Sequence, residues 1–370
     1  MNDPRPRGAP RASDADVAAS VARTIRDEIR STAAYPVPAS AGMIELHANE
    51  NPWPLPDEVR AKLAAAVAAV PLNRYPQGAS EGVKAALARA LPVPEGAALV
   101  LGNGSDELIQ VITAAVARPG ACVLAPEPTF VMYRIYAMQA HVRYAPVPLA
   151  PDFSLDADAL VAAIARERPA LVWLASPNNP TGRAIPLPAI ERVLAAAPGL
   201  VVVDEAYADF AGATLVPRVL EFPNLVVMRT LSKVGLAGAR LGYAVGHPAW
   251  IGEFDKVRSP YNVNALTQAA VPVVLAAADA LAGQIARVRE ERERLASALA
   301  ALPGFAVTRS DANFLLVRVP DAGALAGRLR AAGILVKNLH GSHPLTANCL
   351  RITVGTPAEN NALLVALTHR

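Results

Sequence analysis

The chain has 370 residues, 53% of them hydrophobic and 18% charged, with a net charge of +3 at pH 7. That is enough chain to bury a large core in two domains, or in one domain with an appendage. The mild charge, with no lysine/arginine run and no aromatic-basic interleaving, argues against a nucleic-acid partner, and no apolar run of about 18 residues marks a membrane span.

Residues 1–56 read as an N-terminal arm, whose first 13 residues, rich in Pro, Arg, Gly and Ser, are expected to be disordered. Met1 to Arg30 has no apolar stretch of the signal-peptide kind and carries acids, so a cytoplasmic protein is expected. Within it, Asp14 to Arg30 predicts a helix with Val17, Val21, Ile25 and Ile29 on one stripe. An extended proline-rich segment follows, from Tyr35 to Pro56. From residue 57 to 265 short apolar runs alternate with helical stretches. The strands fall at 98–101, 121–125, 141–145, 171–175, 200–203, 224–228 and 241–245. This alternation predicts an α/β fold: a mostly parallel sheet covered by helices on both faces. Asn264 to about Leu302 predicts one long alanine-rich helical region leading into a second domain. Residues 266–370 then read as a smaller α+β domain with strands near 306–307, 313–319, 334–337 and 349–354.

Polar clusters follow the strands, where ligands bind in such sheets. Thr230-Leu231-Ser232-Lys233 leads through Gly235 and Gly238 to Arg240. A buried lysine with cationic neighbours has a lowered pKa and can act as a covalent amine. Hydroxyls with an arginine suit a phosphate. An aldehyde with a phosphate tail, pyridoxal 5'-phosphate (PLP), satisfies both, although the stretch alone is equally compatible with a solvated lysine. Asp204, ending the apolar run from Val201, would pair with a protonated pyridine nitrogen or else cap the next helix. Tyr207 follows three residues on. Ser176-Pro177-Asn178-Asn179-Pro180-Thr181-Gly182 predicts a rigid loop, with prolines that can be cis, and places Asn179 to bond a ligand. Gly102-Asn103-Gly104-Ser105-Asp106 predicts a turn into a helix N-terminus, suited to a phosphate or simply to helix capping. Phe130 and Tyr133 stand just beyond a strand, either stacked on a planar ring or as core. Cys122 and Cys349 read as buried free thiols. His340 and His343 lie in a Gly/Pro loop, and no metal site is expected.

Together these residues resemble the fold-type-I PLP-dependent aminotransferases: Asn-Asn-Pro-Thr-Gly (178–182), Asp-Glu-Ala-Tyr (204–207), and Ser232-Lys233 with Arg240, Lys233 standing 29 residues after Asp204. Within them the chain is most similar to the histidinol-phosphate aminotransferase family, through Leu-His-Ala-Asn-Glu-Asn-Pro (46–52), Asn-Arg-Tyr-Pro (73–76), the stretch 230–240 and Leu-Arg-Ile-Thr-Val-Gly-Thr (350–356). The resemblance covers nearly the whole chain and implies amino transfer between L-histidinol phosphate and 2-oxoglutarate in histidine biosynthesis. Relatives of other activity leave two alternatives: an aromatic amino-acid aminotransferase, or a PLP lyase decarboxylating an O-phospho amino acid.

The resemblance also implies roles. Lys233 would attach the cofactor covalently and shuttle a proton, with Asp204 on the pyridine nitrogen. Asn179 and Tyr207 would hold the ring oxygen, and Phe130 would stack on the ring. Gly104, Ser105, Asp106, Thr230, Ser232 and Arg240 would form the rest of the cofactor site, largely around its phosphate. Tyr75 would reach that phosphate from a second subunit, implying a homodimer. Arg351 would grip the substrate anion, and Tyr35 and Asn49 would close over the substrate. Two departures stand out. Lys337 occupies a place where many relatives carry a second arginine, and lysine cannot make a bidentate pair. The run from Lys233 to Arg240 is one residue shorter than in some members, which calls for a tighter turn at Gly235.

Overall fold

The computed structural model of the chain describes residues 12–34, 38–78 and 80–368. Most of the stretch 1–13, and Tyr35 with it, therefore lies outside the described residues. Contacts divide the chain into a unit ending at Ala39 and a second beginning at Ser40. The first carries α1 (Asp14–Thr24) and α2 (Asp27–Arg30). The single helix expected here is interrupted at Ile25 and Arg26, and Val17, Val21 and Ile25 are exposed. Ser13 caps α1 by accepting from the Asp16 amide.

The second unit begins with β1 (Ile44–Leu46), α3 (Asp57–Ala68) and α4 (Glu81–Ala90). Then come β2 (Ala98–Asn103), α5 (Ser105–Val116), β3 (Cys122–Glu127), α6 (Met132–Gln139) and β4 (Arg143–Pro148). Next are α7 (Ala157–Glu167), β5 (Leu171–Ala175), α8 (Leu187–Ala196), β6 (Leu200–Asp204) and the single turn α9 (Ala208–Ala211). β7 (Leu225–Thr230), β8 (Leu241–Gly246) and α10 (Pro248–Val257) complete this part. The seven strands form one sheet in the order β2-β8-β7-β6-β5-β3-β4. Only β8 runs against its neighbours.

The strand residues explain why this sheet is a middle layer. Val172, Leu174, Val201, Val203 and Val227 point into one core, packed with residues of α7 and α8. The alternate positions Leu171, Trp173, Leu200, Val202 and Val226 point into another, packed with residues of α5, α6 and α10. Successive strand side chains face opposite ways, so a run that is apolar at every position is buried on both sides. Each such side chain contributes on the order of 1.5–3 kcal/mol on burial.

The alanine-rich region is two helices, α11 (Ala265–Leu275) and α12 (Ala278–Ala300), meeting at an 80° bend. The region expected from composition is helical and passes from one core to the other, with a bend at Ala276 and Ala277 that composition does not show. Val271, Val274 and Leu281 pack in the large-sheet core, whereas Leu295 and Leu299 pack under a second sheet. The bend lets one stretch of chain serve both cores. No single helix among the described residues is long and apolar enough to cross a membrane.

The second sheet is built from β9 (Ala306–Val307), β10 (Phe314–Arg318), β11 (Ile334–Asn338) and β12 (Cys349–Thr353), with helices α13 (Ala322–Ala331) and α14 (Pro357–Thr368). Its order is β1-β11-β12-β10-β9. β1, from the stretch read as an N-terminal arm, pairs in parallel with β11. Both cysteines are buried and free.

Candidate active site

Strand ends bring the polar clusters together. Gly242 on β8 is in register with Gly102 on β2 and with Thr230 on β7. The turn into α5 and the turn after β7 therefore sit side by side. Gly104 has φ +79°, and a Cβ there would lie 2.5 Å from Arg240 Nη2. A Cβ on Gly242 would lie 2.5 Å from the amide nitrogen of Ser105. Both glycines thus keep a cradle open between an arginine and the N-terminus of a 12-residue helix. Thr230 Oγ1 stands 3.0 Å from Ser232 Oγ, and both residues are buried. Asp106 lies 3.7 Å from Arg240 through Oδ2, while its Oδ1 is buried with no partner. Burial raises the Asp106 carboxyl, and Arg240 and Lys233 oppose that rise. Glu107 closes the turn by accepting from the Asn103 amide at 2.5 Å and from Asn262 Nδ2 at 2.7 Å.

Lys233 lies in a single 3-10 turn, 232–234, after which Gly235 at φ +111° reverses the chain. The tight turn demanded by the short loop is present, and Arg240 leaves it at φ +54°. Lys233 Nζ donates to the Ala48 carbonyl at 3.0 Å. Burial, then the Arg351 guanidinium, brings the amine down to about 8, with Glu50 and Asp106 opposing. A lysine so placed is partly neutral near physiological pH, which a nucleophilic amine requires.

Asp204 ends β6 in register with Ala175, and its carbonyl accepts from the Ser176 amide at 2.9 Å. The Asn-Asn-Pro loop thus leaves the sheet beside it. That loop contains cis bonds before Pro177 and Pro180, with a third before Pro128. Burial pushes the Asp204 carboxyl up to about 6, against hydrogen bonds from Tyr133 and the Ala206 amide that hold it down. The Ala206 amide lies before α9, whose N-cap is Tyr207 with no side-chain cap bond, so Asp204 ties the turn and does not cap that helix.

Tyr207 is buried, with its ring edge-on to Phe314 at 5.1 Å. Its hydroxyl accepts from Asn49 Nδ2 at 3.0 Å and lies 3.5 Å from Asn179 Nδ2. Asn179 Oδ1 accepts from Arg351 Nη1 at 2.6 Å, and Arg351 Nη2 donates to the His47 carbonyl at 2.7 Å. Lys337 is in antiparallel register with Arg351. Directly opposed residues share a sheet face, so the two cations stand on one side of the small sheet. Phe130 is partly buried and meets the Tyr133 ring edge-on.

Lys233, Asp204, Tyr207, Asn179, Asn49 and Arg351 are thus linked through direct bonds or near neighbours. Asn49 is fully buried, bonded to Tyr207 and Thr353. Tyr75 instead lies 83% exposed, stacked on Tyr261 at 4.9 Å. Sequence reasoning missed Thr353 and Asn313, which hold Asn49 by its amide and its carbonyl. Thr353 had a signal: it stands two residues after Arg351 on a strand and shares its face. Asn313 had none.

Residues 41–367 match the family "Aminotransferase class I and II". The chain is 55% identical to the histidinol-phosphate aminotransferase of Chromobacterium violaceum, covering 94% of this chain and 98% of that one. It is 52% identical to histidinol-phosphate aminotransferase 1 of Burkholderia lata, over 93% and 96%. The crystal structure of the Sinorhizobium meliloti histidinol-phosphate aminotransferase, in complex with pyridoxal-5'-phosphate, superposes with a TM-score of 0.82 at 30% identity, covering 93% and 96%. The fold and the site therefore define an aminotransferase of class I and II, and within that class the chain belongs to the histidinol-phosphate aminotransferase family.

Proposed function

We propose that the protein transfers the amino group between L-histidinol phosphate and 2-oxoglutarate, giving imidazole acetol phosphate and glutamate, as a step of cytoplasmic histidine biosynthesis. The observation that carries this reading is the buried Lys233, its amine lowered to about 8 by burial and by Arg351, which itself donates to Asn179. When bound, PLP supplies an aldehyde for covalent attachment and a ring that draws electrons from the substrate's reacting carbon.

The residues fit that cofactor. The glycine cradle, the Thr230 and Ser232 hydroxyls, Ser105 at its helix N-terminus and Arg240 are the donors a phosphate needs. Asp204 would pair with the ring nitrogen, Tyr207 and Asn179 would hold the ring oxygen, and Phe130 would pack against the ring. Lys233 then holds or releases the proton at the substrate carbon, acting as base when neutral and acid when charged. Tyr75 serves the phosphate of a second copy in a homodimer, a reading its exposed ring, stacked on Tyr261, supports.

Arg351 and Lys337 receive the substrate's anionic group. Two cations side by side suit a phosphate dianion, and they favour histidinol phosphate over free phenylalanine. Arg351 also takes the carboxylates of glutamate. Tyr35 completes the substrate side in this reading.

Steady-state assays on purified protein test the proposal. The kcat/KM for histidinol phosphate is expected to exceed that for phenylalanine, with no CO2 released when a keto acid is withheld. A higher value for phenylalanine makes the protein an aromatic aminotransferase. CO2 release without an acceptor makes it a lyase.

A further inference from the structure

One buried polar group at the site remains without a role. Tyr133 stands in the first turn of α6 and is completely buried. Its hydroxyl donates to Asp204 Oδ2 at 2.6 Å, while the Ala206 amide donates to Oδ1 at 3.0 Å. The tyrosine ring lies flat on Trp173, with centroids 4.8 Å apart and planes 2° from parallel. Phe130 meets it edge-on at 5.8 Å. Trp173 is itself fully buried on β5, the strand beside the one that ends in Asp204. Ring stacking therefore fixes where the hydroxyl points, and the hydroxyl fixes one oxygen of the carboxylate.

The chemistry gives that contact a consequence beyond filling a polar need. A buried carboxylate tends to take up a proton, because burial penalises the charged form. The groups around Asp204 do not settle the matter by themselves. Asp106, on α5, opposes its ionisation, and Lys233, after β7, favours it. Tyr207, after β6, is kept neutral by burial. The hydrogen bonds from Tyr133 and Ala206 stabilise the anion. The tyrosine itself stays a neutral donor, since burial and the neighbouring aspartate both resist its ionisation.

We propose that Tyr133 is a positioning residue: it orients the Asp204 carboxylate and lets it face the ring nitrogen of the cofactor as an anion, so that the proton of that pair rests on the nitrogen. This rests on the reading that PLP lies against Asp204. Without the Tyr133 bond the carboxylate becomes more basic. The shared proton then moves toward oxygen, and the ring loses its positive charge. Tyr133 acts entirely through Asp204.

The test uses full-length protein loaded with PLP labelled with 15N in the ring. In the wild type the nitrogen is expected to resonate in the protonated range. In Tyr133→Phe, which keeps the ring stack, it is expected to move toward the unprotonated range, and the dissociation constant for PLP to rise roughly tenfold, as for loss of one hydrogen bond to a charged group. A nitrogen resonance and affinity unchanged from wild type overturn the inference, whatever happens to activity. Should Tyr133→Phe fail to fold, 3-fluorotyrosine at position 133 keeps the shape with a stronger donor. It is expected to move the resonance further toward the protonated limit, and no movement there overturns the inference as well. A wild type that binds no PLP, or holds it with an unprotonated nitrogen, instead overturns the underlying placement of the cofactor against Asp204.

Discussion

The loops that follow β2, β5, β6 and β7 and the face of the small sheet around Arg351 meet at one site but are held differently. In the loops, part of the bonding that shapes the site is short in sequence, beside long bonds such as Lys233 to Ala48 and Tyr133 to Asp204. Thr230 meets Ser232 and Asp204 meets Ala206, each two residues away. Around the small sheet the bonds are long. Arg351 reaches His47 across 304 residues and Asn179 across 172, and Asn313 reaches Asn49 across 264. Closing such loops costs entropy before any contact forms, so this half depends on both sheets being folded and docked. The strand-end loops are shaped in part by their own turns. The difference suggests a division of labour: a rigid half that keeps a constant cofactor, and a half assembled over distance that receives two differently shaped substrates.

The largest expected effect breaks the rigid half. Lys233→Ala is expected to remove covalent attachment of the cofactor, seen as loss of its visible absorbance band, and to lower turnover by on the order of 10⁴-fold or more. The fold should survive, since the change relieves burial of an amine. In the wild type the lysine's lowered value of about 8 gives the sign of the pH effect. Capture of PLP by the apoprotein should accelerate from pH 7 to pH 9 as the neutral amine becomes the major form, levelling above that. A pH-independent capture rate would sink the covalent role. Mixed with Tyr75→Ala chains, the same variant should form hybrids that regain part of the activity, because one site then has both residues intact. Absence of regain argues against a tyrosine supplied by the partner.

A smaller effect is expected on the assembled half. Arg351→Ala removes the substrate's charged anchor together with the bonds to Asn179 and His47. A charge-assisted pair of this kind is worth about 1.5–3 kcal/mol, so kcat/KM should fall roughly 10–100-fold. The fall should appear with both histidinol phosphate and glutamate, while the cofactor's absorbance band persists. If glutamate alone suffers, the two substrates do not share the arginine.

The same contrast explains what was legible in the sequence. Each strand-end loop is a contiguous string with its own chemistry, as in Thr230 to Arg240 or Asp204 to Tyr207. The apolar runs before them predict buried parallel strands, and the seven-stranded sheet has those strands. Legibility stopped where structure depends on pairing across the chain. β1 is three residues long and has no strand character apart from its partner β11. The bend between α11 and α12 falls at alanines that favour a helix, and only the two separate cores explain it. Asn313 sits at the edge of an apolar run, and nothing nearby shows that its amide reaches the Asn49 carbonyl. Tyr133 was visible only as an aromatic after a strand. Its aspartate lies 71 residues on.

The smallest expected effect sharpens the comparison inside the assembled half. Lys337 and Arg351 are register partners on one sheet face, yet they should not be equivalent. A guanidinium presents a fork that matches a carboxylate or a phosphate, while an ammonium is a hydrated point charge. Lys337 should matter more for a phosphate dianion, whose second charge a neighbouring cation can meet, than for a carboxylate that Arg351 holds by itself. Lys337→Ala is therefore expected to lower kcat/KM for histidinol phosphate about tenfold, near the net worth of one charged hydrogen bond, and to leave glutamate within about twofold. Lys337→Arg should keep or improve use of the phosphate substrate. Equal losses on both substrates would mean that Lys337 supports Arg351 rather than the phosphate, and the two cations would then form one anchor instead of two.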